Sequence, residues 1–189
     1  MSFLYVFKFY KTNRARNMDQ ILNDMEVMWR ATDKSDLDKF VSAFIEFDPA
    51  FVVGIGAGRM GYALQAFIMR LGHLGYHSSM LGDTNVQRID QKSVAFVNSS
   101  SGETPSILLF AEQVKEAGGT LFVTSSKPAS SIGRLADSLI VLPEIKSHQL
   151  MKSKFEQFSM LLYDHIAFQI FSRRDMVRSE VELNHSILE

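Results

Sequence analysis

Residues 50–71, AFVVGIGAGRMGYALQAFIMRL, change character at their middle. Ala50 to Ile55 is an unbroken apolar run, as expected of a short strand covered on both faces. A glycine-rich turn follows, Gly56-Ala57-Gly58-Arg59-Met60-Gly61, and helical spacing then takes over through Tyr62, Ala66, Phe67, Met69 and Leu71. Gly72 and Gly75 stop that helix. A buried strand that enters a helix through a tight turn is half of a parallel β-α-β unit.

The unit recurs downstream. Strands are predicted at Tyr76 to Leu81, Ser93 to Val97, Thr120 to Thr124 and Ser138 to Leu142. Between them, Ile107, Leu108, Ala111 and Val114 mark a helix that stops at Gly118-Gly119, and a shorter helix runs to Asp137. Upstream, Ile21, Leu22, Met25, Met28 and Trp29 predict one amphipathic helix from Asp19, and Leu37, Phe40, Val41 and Phe44 a second. A long helix is expected from about Lys152 to Phe171, then a charged segment and the tail NHSILE. This alternation predicts an α/β fold: a five-stranded parallel sheet between two helical layers, a three-layer α/β/α sandwich.

At 189 residues one domain is expected, spanning 18–189. Residues 1–17, MSFLYVFKFYKTNRARN, look different and are expected as a flexible extension, or as sequence preceding a natural start at Met18. Their apolar stretch is broken by Lys8 and ends in basic residues with no cleavage-site pattern, which suits neither a secretory signal nor a membrane span. The net charge of −1 offers no basic field for nucleic acid or an anionic membrane. The absence of cysteine removes disulfides, thiolate zinc sites and cysteine nucleophiles, and a cytoplasmic location is expected. His73 and His77 are four residues apart, but the flanking glycines break the helix a zinc pair would need, so no metal is expected.

In an open parallel sheet, ligands sit beyond the carboxyl ends of the strands. Two loops there carry chemistry. One is Gly56 to Gly61. The other, after the third strand, is Ser99-Ser100-Ser101-Gly102-Glu103-Thr104, followed by Pro105 at a helix start. A helix N-terminus offers unpaired N–H groups and about half a positive charge. Gly102 lets the backbone approach a ligand closely, and Ser99, Ser101 and Thr104 add hydroxyl donors around a phosphate. One capped helix needs one hydroxyl, and the surplus favours a phosphate cradle. The first loop also matches the dinucleotide pattern G-x-G-x-x-G, with Asp83 as the ribose partner. That alternative leaves the serines unexplained.

Together GAGRMG (56–61), SSSGET (99–104), MKSKFE (151–156) and NHSILE (184–189) resemble the sugar isomerase (SIS) domain family, and within it the 6-phospho-3-hexuloisomerases. Those carry GAGRSG, SGSGET, M-G-[ST]-x-F-E and R-H-A-N-L-E. The resemblance implies a flavodoxin-like SIS fold, no cofactor, and a homotetramer with active sites at subunit interfaces. It implies a sugar-phosphate substrate, 3-hexulose 6-phosphate interconverting with fructose 6-phosphate. By position, Ser99, Ser101 and Thr104 would hold phosphate and Ser100 would contribute backbone. Gly58 and Gly102 would line the substrate, Arg59 would face the sugar, Glu156 would be the base, and His185 would come from a neighbouring subunit. The chain departs from the family pattern at Met60 for serine, Lys152 for glycine, Asn184 for arginine and Ile187 for asparagine, and LGDTNVQRI (81–89) lacks the family's glutamate and proline.

The chemistry fits these residue types. Moving a carbonyl from carbon 3 to carbon 2 takes one proton off and returns it through an enediol, which one carboxylate can shuttle. Arg59 and His185 are suitable donors to the developing oxyanion. A phosphate on oxygen 6 prevents the five-membered ring a 3-ketose would close, so no ring-opening acid or metal is demanded. A non-catalytic phosphosugar-binding module would use the same cradle without the base.

Overall fold

A computed structural model describes residues 3–185, with side chains from residue 17 onward. Two helices come first, α1 (Phe3–Ala31) and α2 (Lys34–Phe47). Then follow β1 (Phe51–Gly56), α3 (Gly58–His73), β2 (Ser78–Met80), β3 (Ser93–Asn98), α4 (Pro105–Glu116), β4 (Thr120–Ser125), α5 (Ser131–Leu135) and β5 (Ser138–Val141). The long α6 (Ser153–Arg173) and the short α7 (Arg178–Leu183) close the described chain. The five strands form one sheet in the order β2-β1-β3-β4-β5, and every pairing is parallel.

β1, β3, β4 and β5 feed both helical layers because their side chains alternate between faces. Val52, Val94, Phe96, Phe122 and Ile140 point into a core shared with α1, α2, α3 and α6. Phe51, Val53, Ile55, Ala95, Val97, Leu121 and Val123 point the other way, onto Ile107, Ala111 and Val114 of α4 and Ile132 of α5. The larger core centres on Phe96. Its ring lies 5.1 Å from Phe67, 5.2 Å from Phe44, 5.4 Å from Phe122 and 6.0 Å from Phe40. Full burial of a side chain of this size stabilises the fold by roughly 1.5–3 kcal/mol.

Three expectations need correction. The first helix begins at Phe3, so residues 3–17, expected as a flexible extension, form its first half. Residues 1–2, and the tail positions Ile187 and Glu189, lie outside the described residues. In α3 the buried face is Ala63, Leu64, Phe67, Ile68 and Leu71, while Tyr62 and Met69 are exposed. In α1, Met25 and Met28 are buried, but Leu22 is largely exposed and Trp29 only partly covered. Among the described residues no helix is long and apolar enough to cross a membrane.

Candidate active site

The sheet register brings the two loaded loops together. Gly56, the last residue of β1, pairs with Asn98, the last of β3, and Asn98 pairs in turn with Thr124 of β4. The loops after β1, β3 and β4 therefore leave the same edge at the same level. This is the edge where ligands bind in open α/β sheets.

At the first loop, strand and helix are in close contact. A Cβ on Gly61 would meet the Gly56 carbonyl oxygen at 2.8 Å, and one on Gly56 would meet the Gly61 Cα at 2.9 Å. Gly58 has φ +55, a left-handed conformation that glycine adopts freely. The turn places Arg59 in the first turn of α3, where its guanidinium pairs with the Glu156 carboxylate in the first turn of α6. The carboxylate side chain is only 14% exposed and the arginine 65%, so Glu156 is the sheltered partner.

The second loop joins this pair through side chains. Asn98 donates from Nδ2 to the Met60 carbonyl at 2.9 Å and to Ser159 Oγ at 3.2 Å. Ser159 donates onward to the Glu156 carbonyl at 3.0 Å. One buried amide thus ties the start of α3 to the start of α6. The backbone N–H of Ser100 donates to Met60 Sδ at 3.4 Å, so this expected phosphate donor faces a weak thioether acceptor. Among the described residues, Asn98 Oδ1 and Ser100 Oγ are buried without a hydrogen-bond partner. An unsatisfied buried polar atom costs about 1–3 kcal/mol, and such atoms call for an explanation where they occur.

The serine loop itself is tightly bent. Gly102 sits at φ +64 and touches the β4–α5 loop: a Cβ there would lie 1.9 Å from Ser130 Oγ. Its carbonyl accepts from the Ile132 N–H at 3.1 Å. Ser99 Oγ accepts from the Gly102 N–H at 3.2 Å, and Ser101 Oγ from the Glu103 N–H at 3.3 Å. Each hydroxyl keeps its own proton for donation. Thr104 is the N-cap of α4, yet its side chain makes no cap hydrogen bond, and Pro105 follows as the first helical residue. The hydroxyl surplus is therefore not consumed in capping α4.

Ser101 and Glu103 line a cavity of about 510 Å³ together with Lys127, Pro128, Ala129, Ser130 and Lys152. That volume is within the range of small-molecule sites. Glu103 accepts from the Ser131 N–H at 2.8 Å, and this bond holds its carboxyl below the ordinary range. Asn98, Ser159, Lys127 and Ser130 were not singled out by sequence. Asn98 ends a strand and Ser159 lies inside a helix, so no local pattern flags them.

His185 stands elsewhere within the chain. Its ring stacks on His73, with centroids 4.9 Å apart, and Asn184 donates to the His73 carbonyl at 3.1 Å. His73 ends α3, and Arg59 is near its start, roughly 21 Å away at 1.5 Å rise per residue. Asp83, the ribose partner in the dinucleotide alternative, accepts from the Met80 N–H at 2.8 Å and so closes the turn after β2.

Comparison with known proteins finds relatives of the chain. The chain is 27% identical over 179 residues to the 3-hexulose-6-phosphate isomerase of Bacillus subtilis, covering 90% of this chain and 96% of that one. An uncharacterised Archaeoglobus fulgidus protein is 33% identical over 144 residues, covering 71% of this chain and 79% of that one. A crystal structure from Methanococcus jannaschii, from which a function of 3-hexulose-6-phosphate isomerase is inferred, superposes with a TM-score of 0.81 at 26% identity, covering 92% of this chain and 99% of that one. No family model matches the chain.

Proposed function

This chain belongs to the sugar isomerase (SIS) domain family and is a sugar-phosphate isomerase, and we propose that its reaction interconverts 3-hexulose 6-phosphate and fructose 6-phosphate. The observation that carries the proposal is the Arg59–Glu156 pair, joined through Asn98 and Ser159 to the serine loop. A base and a phosphate cradle so linked can hold one substrate at both ends.

In the proposed step the phosphate rests on Ser99, Ser101, Thr104 and the N-terminus of α4, with Gly58 and Gly102 lining the substrate. The Glu156 carboxylate takes the proton from carbon 2, and the C–H electrons become the carbon 2–carbon 3 double bond. The carbon 3 carbonyl becomes an enediolate oxygen that the Arg59 guanidinium faces. Glu156 then returns the proton to carbon 3, while the carbon 2 hydroxyl passes its proton to the carbon 3 oxygen, so that carbon 2 bears the new carbonyl and carbon 3 the hydroxyl. Anchoring the phosphate holds carbon 2 within reach of the carboxylate, and such orientation lowers the barrier by several kcal/mol in favourable cases, up to about 7–11.

The separation of His185 from Arg59 makes a role for it depend on a second subunit, in keeping with a homotetramer whose sites lie at subunit contacts. Exposed Tyr62 and Met69 on α3, and Leu161 and Phe168 on α6, supply apolar surface for such contacts. Light scattering would read the subunit number.

The test is fructose 6-phosphate incubated with enzyme in D2O. Deuterium should enter carbon 3 with the wild type and not with Glu156→Gln. Full activity in Glu156→Gln, or deuterium entering carbon 3 at the wild-type rate in that variant, would exclude this base.

A further inference from the structure

Cavities, charged clusters and exposed patches beyond the proposed base include one that bears on ligand choice. Lys127, in the loop after β4, and Lys152, at the N-cap of α6, reach the same carboxylate from opposite sides. Lys127 Nζ lies 2.7 Å from Glu144 Oε2, and Lys152 Nζ lies 3.5 Å from Glu144 Oε1. The two ammonium groups hold the Glu144 carboxyl below its ordinary range, Lys127 through its hydrogen bond most of all. Both lysines line the cavity that also contains Ser101.

Two further facts give the cluster a direction. Ser101 belongs to the serine loop and to this cavity at once, so an anion on the loop stands in the space the lysines border. Lys152 is one helical turn before Glu156, whose N–H bonds back to the Lys152 carbonyl at 3.1 Å. At 1.5 Å per residue the two positions are about 6 Å apart along the helix. Lys152 therefore lies within one helical turn of the proposed base and borders the cavity that Ser101 also lines. The hydroxyl cradle is neutral, and this wall carries the two lysines with two carboxylates, Glu144 bridging the lysines and Glu103 turned onto the Ser131 N–H.

We propose that Lys127 and Lys152, bridged by Glu144, form a cationic clamp that closes on the phosphate of the substrate and makes the site selective for a dianionic phosphoryl group. Glu144 holds the two long side chains in place and yields them to the phosphate, which offers more charge and more acceptor oxygens. The clamp rests on the proposed function for the position of the phosphate, and goes beyond it by giving that phosphate charged partners. Lysine suits the task as a flexible point charge that needs no fixed fork geometry.

The test measures binding of inorganic phosphate, fructose 6-phosphate and unphosphorylated fructose to wild type, Lys127→Gln/Lys152→Gln, Lys152→Arg and Ser99→Ala, with unliganded melting curves to confirm folding. Titrations at about 20 mM and about 300 mM NaCl separate screened from unscreened charge, because the Debye length changes severalfold over that range. The double variant should lose at least about tenfold affinity for both phosphate ligands, equivalent to about 1.4 kcal/mol. Its salt dependence should flatten, kcat should fall less than KM rises, and Lys152→Arg should recover most of the affinity. Wild-type affinity in the double variant, together with loss in Ser99→Ala, would overturn the clamp and leave the cradle standing. Failure of the wild type to bind either phosphate ligand would overturn both.

Discussion

Gly102→Ala is the sharpest test of how the serine loop is built. At φ +64 an alanine costs about 1–2 kcal/mol for left-handed backbone alone. Its Cβ would lie 1.9 Å from Ser130 Oγ and 2.6 Å from Ser130 Cβ, so the Ser130 residue must move, not merely rotate. Ser130 is the N-cap of α5: its Oγ accepts from the Gly133 N–H at 3.1 Å and donates to the Lys127 carbonyl at 2.7 Å. Losing that cap costs about 1 kcal/mol, and overpacking a tight site about 1–3 kcal/mol more. The sum is about 3–6 kcal/mol, and at roughly 2–4 °C per kcal/mol for a domain of this size the melting temperature should fall by about 10–20 °C. Thermal melts followed by circular dichroism would read it, with urea titration as a check on two-state behaviour. Adding Ser130→Gly removes the clash but neither the left-handed backbone nor the loss of the cap, so the double variant should regain the overpacking share, about 1–3 kcal/mol. A single variant melting within about 2 °C of wild type, or a double variant no better than the single, would refute the close-contact argument.

Four further outcomes follow from the same geometry. Glu156→Gln should lower kcat by about 10²–10⁴-fold, read in a coupled assay of fructose 6-phosphate formation, with the melting temperature little changed. Gly61→Ala places a Cβ 2.8 Å from the Gly56 carbonyl oxygen, where only backbone can give way, and should destabilise the fold by about 1–3 kcal/mol in urea titration. Asp24 is buried on α1 and accepts from Ser147 Oγ at 2.5 Å and Gln149 Nε2 at 2.8 Å, so Asp24→Ala should cost about 1–3 kcal/mol and loosen the segment before Lys152, seen as faster amide exchange there. Burial lowers the His165 pKa, with Lys34 and Arg173 adding to it, so the unfolded chain binds the proton more readily. Stability should therefore rise with pH up to roughly 6.5, a slope His165→Gln should flatten, and Trp29 fluorescence should report the titration because the two rings are 5.1 Å apart.

Much of the architecture was legible because it is local. The apolar runs that end at Ile55 and Val97 carry their own strand signal, and both strands extend one residue further, to Gly56 and Asn98, because the register pairs those two residues. The second strand came out shorter than expected, since the Tyr76 N–H turns back to the Leu71 carbonyl at 3.0 Å and finishes α3 instead. The helix α7 went unread because none of its residues is buried and so no apolar stripe marks it; its start shows only in Glu180, which accepts from the Val177 N–H at 3.0 Å.

The site divides along the same line. Ser99 to Thr104 announce themselves, since six adjacent residues carry one chemistry. Lys127 and Glu144 do not, because each alone reads as a solvated charge, and Lys152 stands out only as a departure from the family motif; 17 and 8 residues separate the two lysines from the glutamate they share. What assembles them is the common edge of the sheet together with the segment that Asp24 holds against α1. That segment delivers Lys152 and then Glu156 within one helical turn. Whatever fixes its position sets the phosphate wall and the proposed base together, so Asp24→Ala should weaken phosphate affinity and slow turnover in the same variant, although Asp24 itself need touch neither substrate nor base.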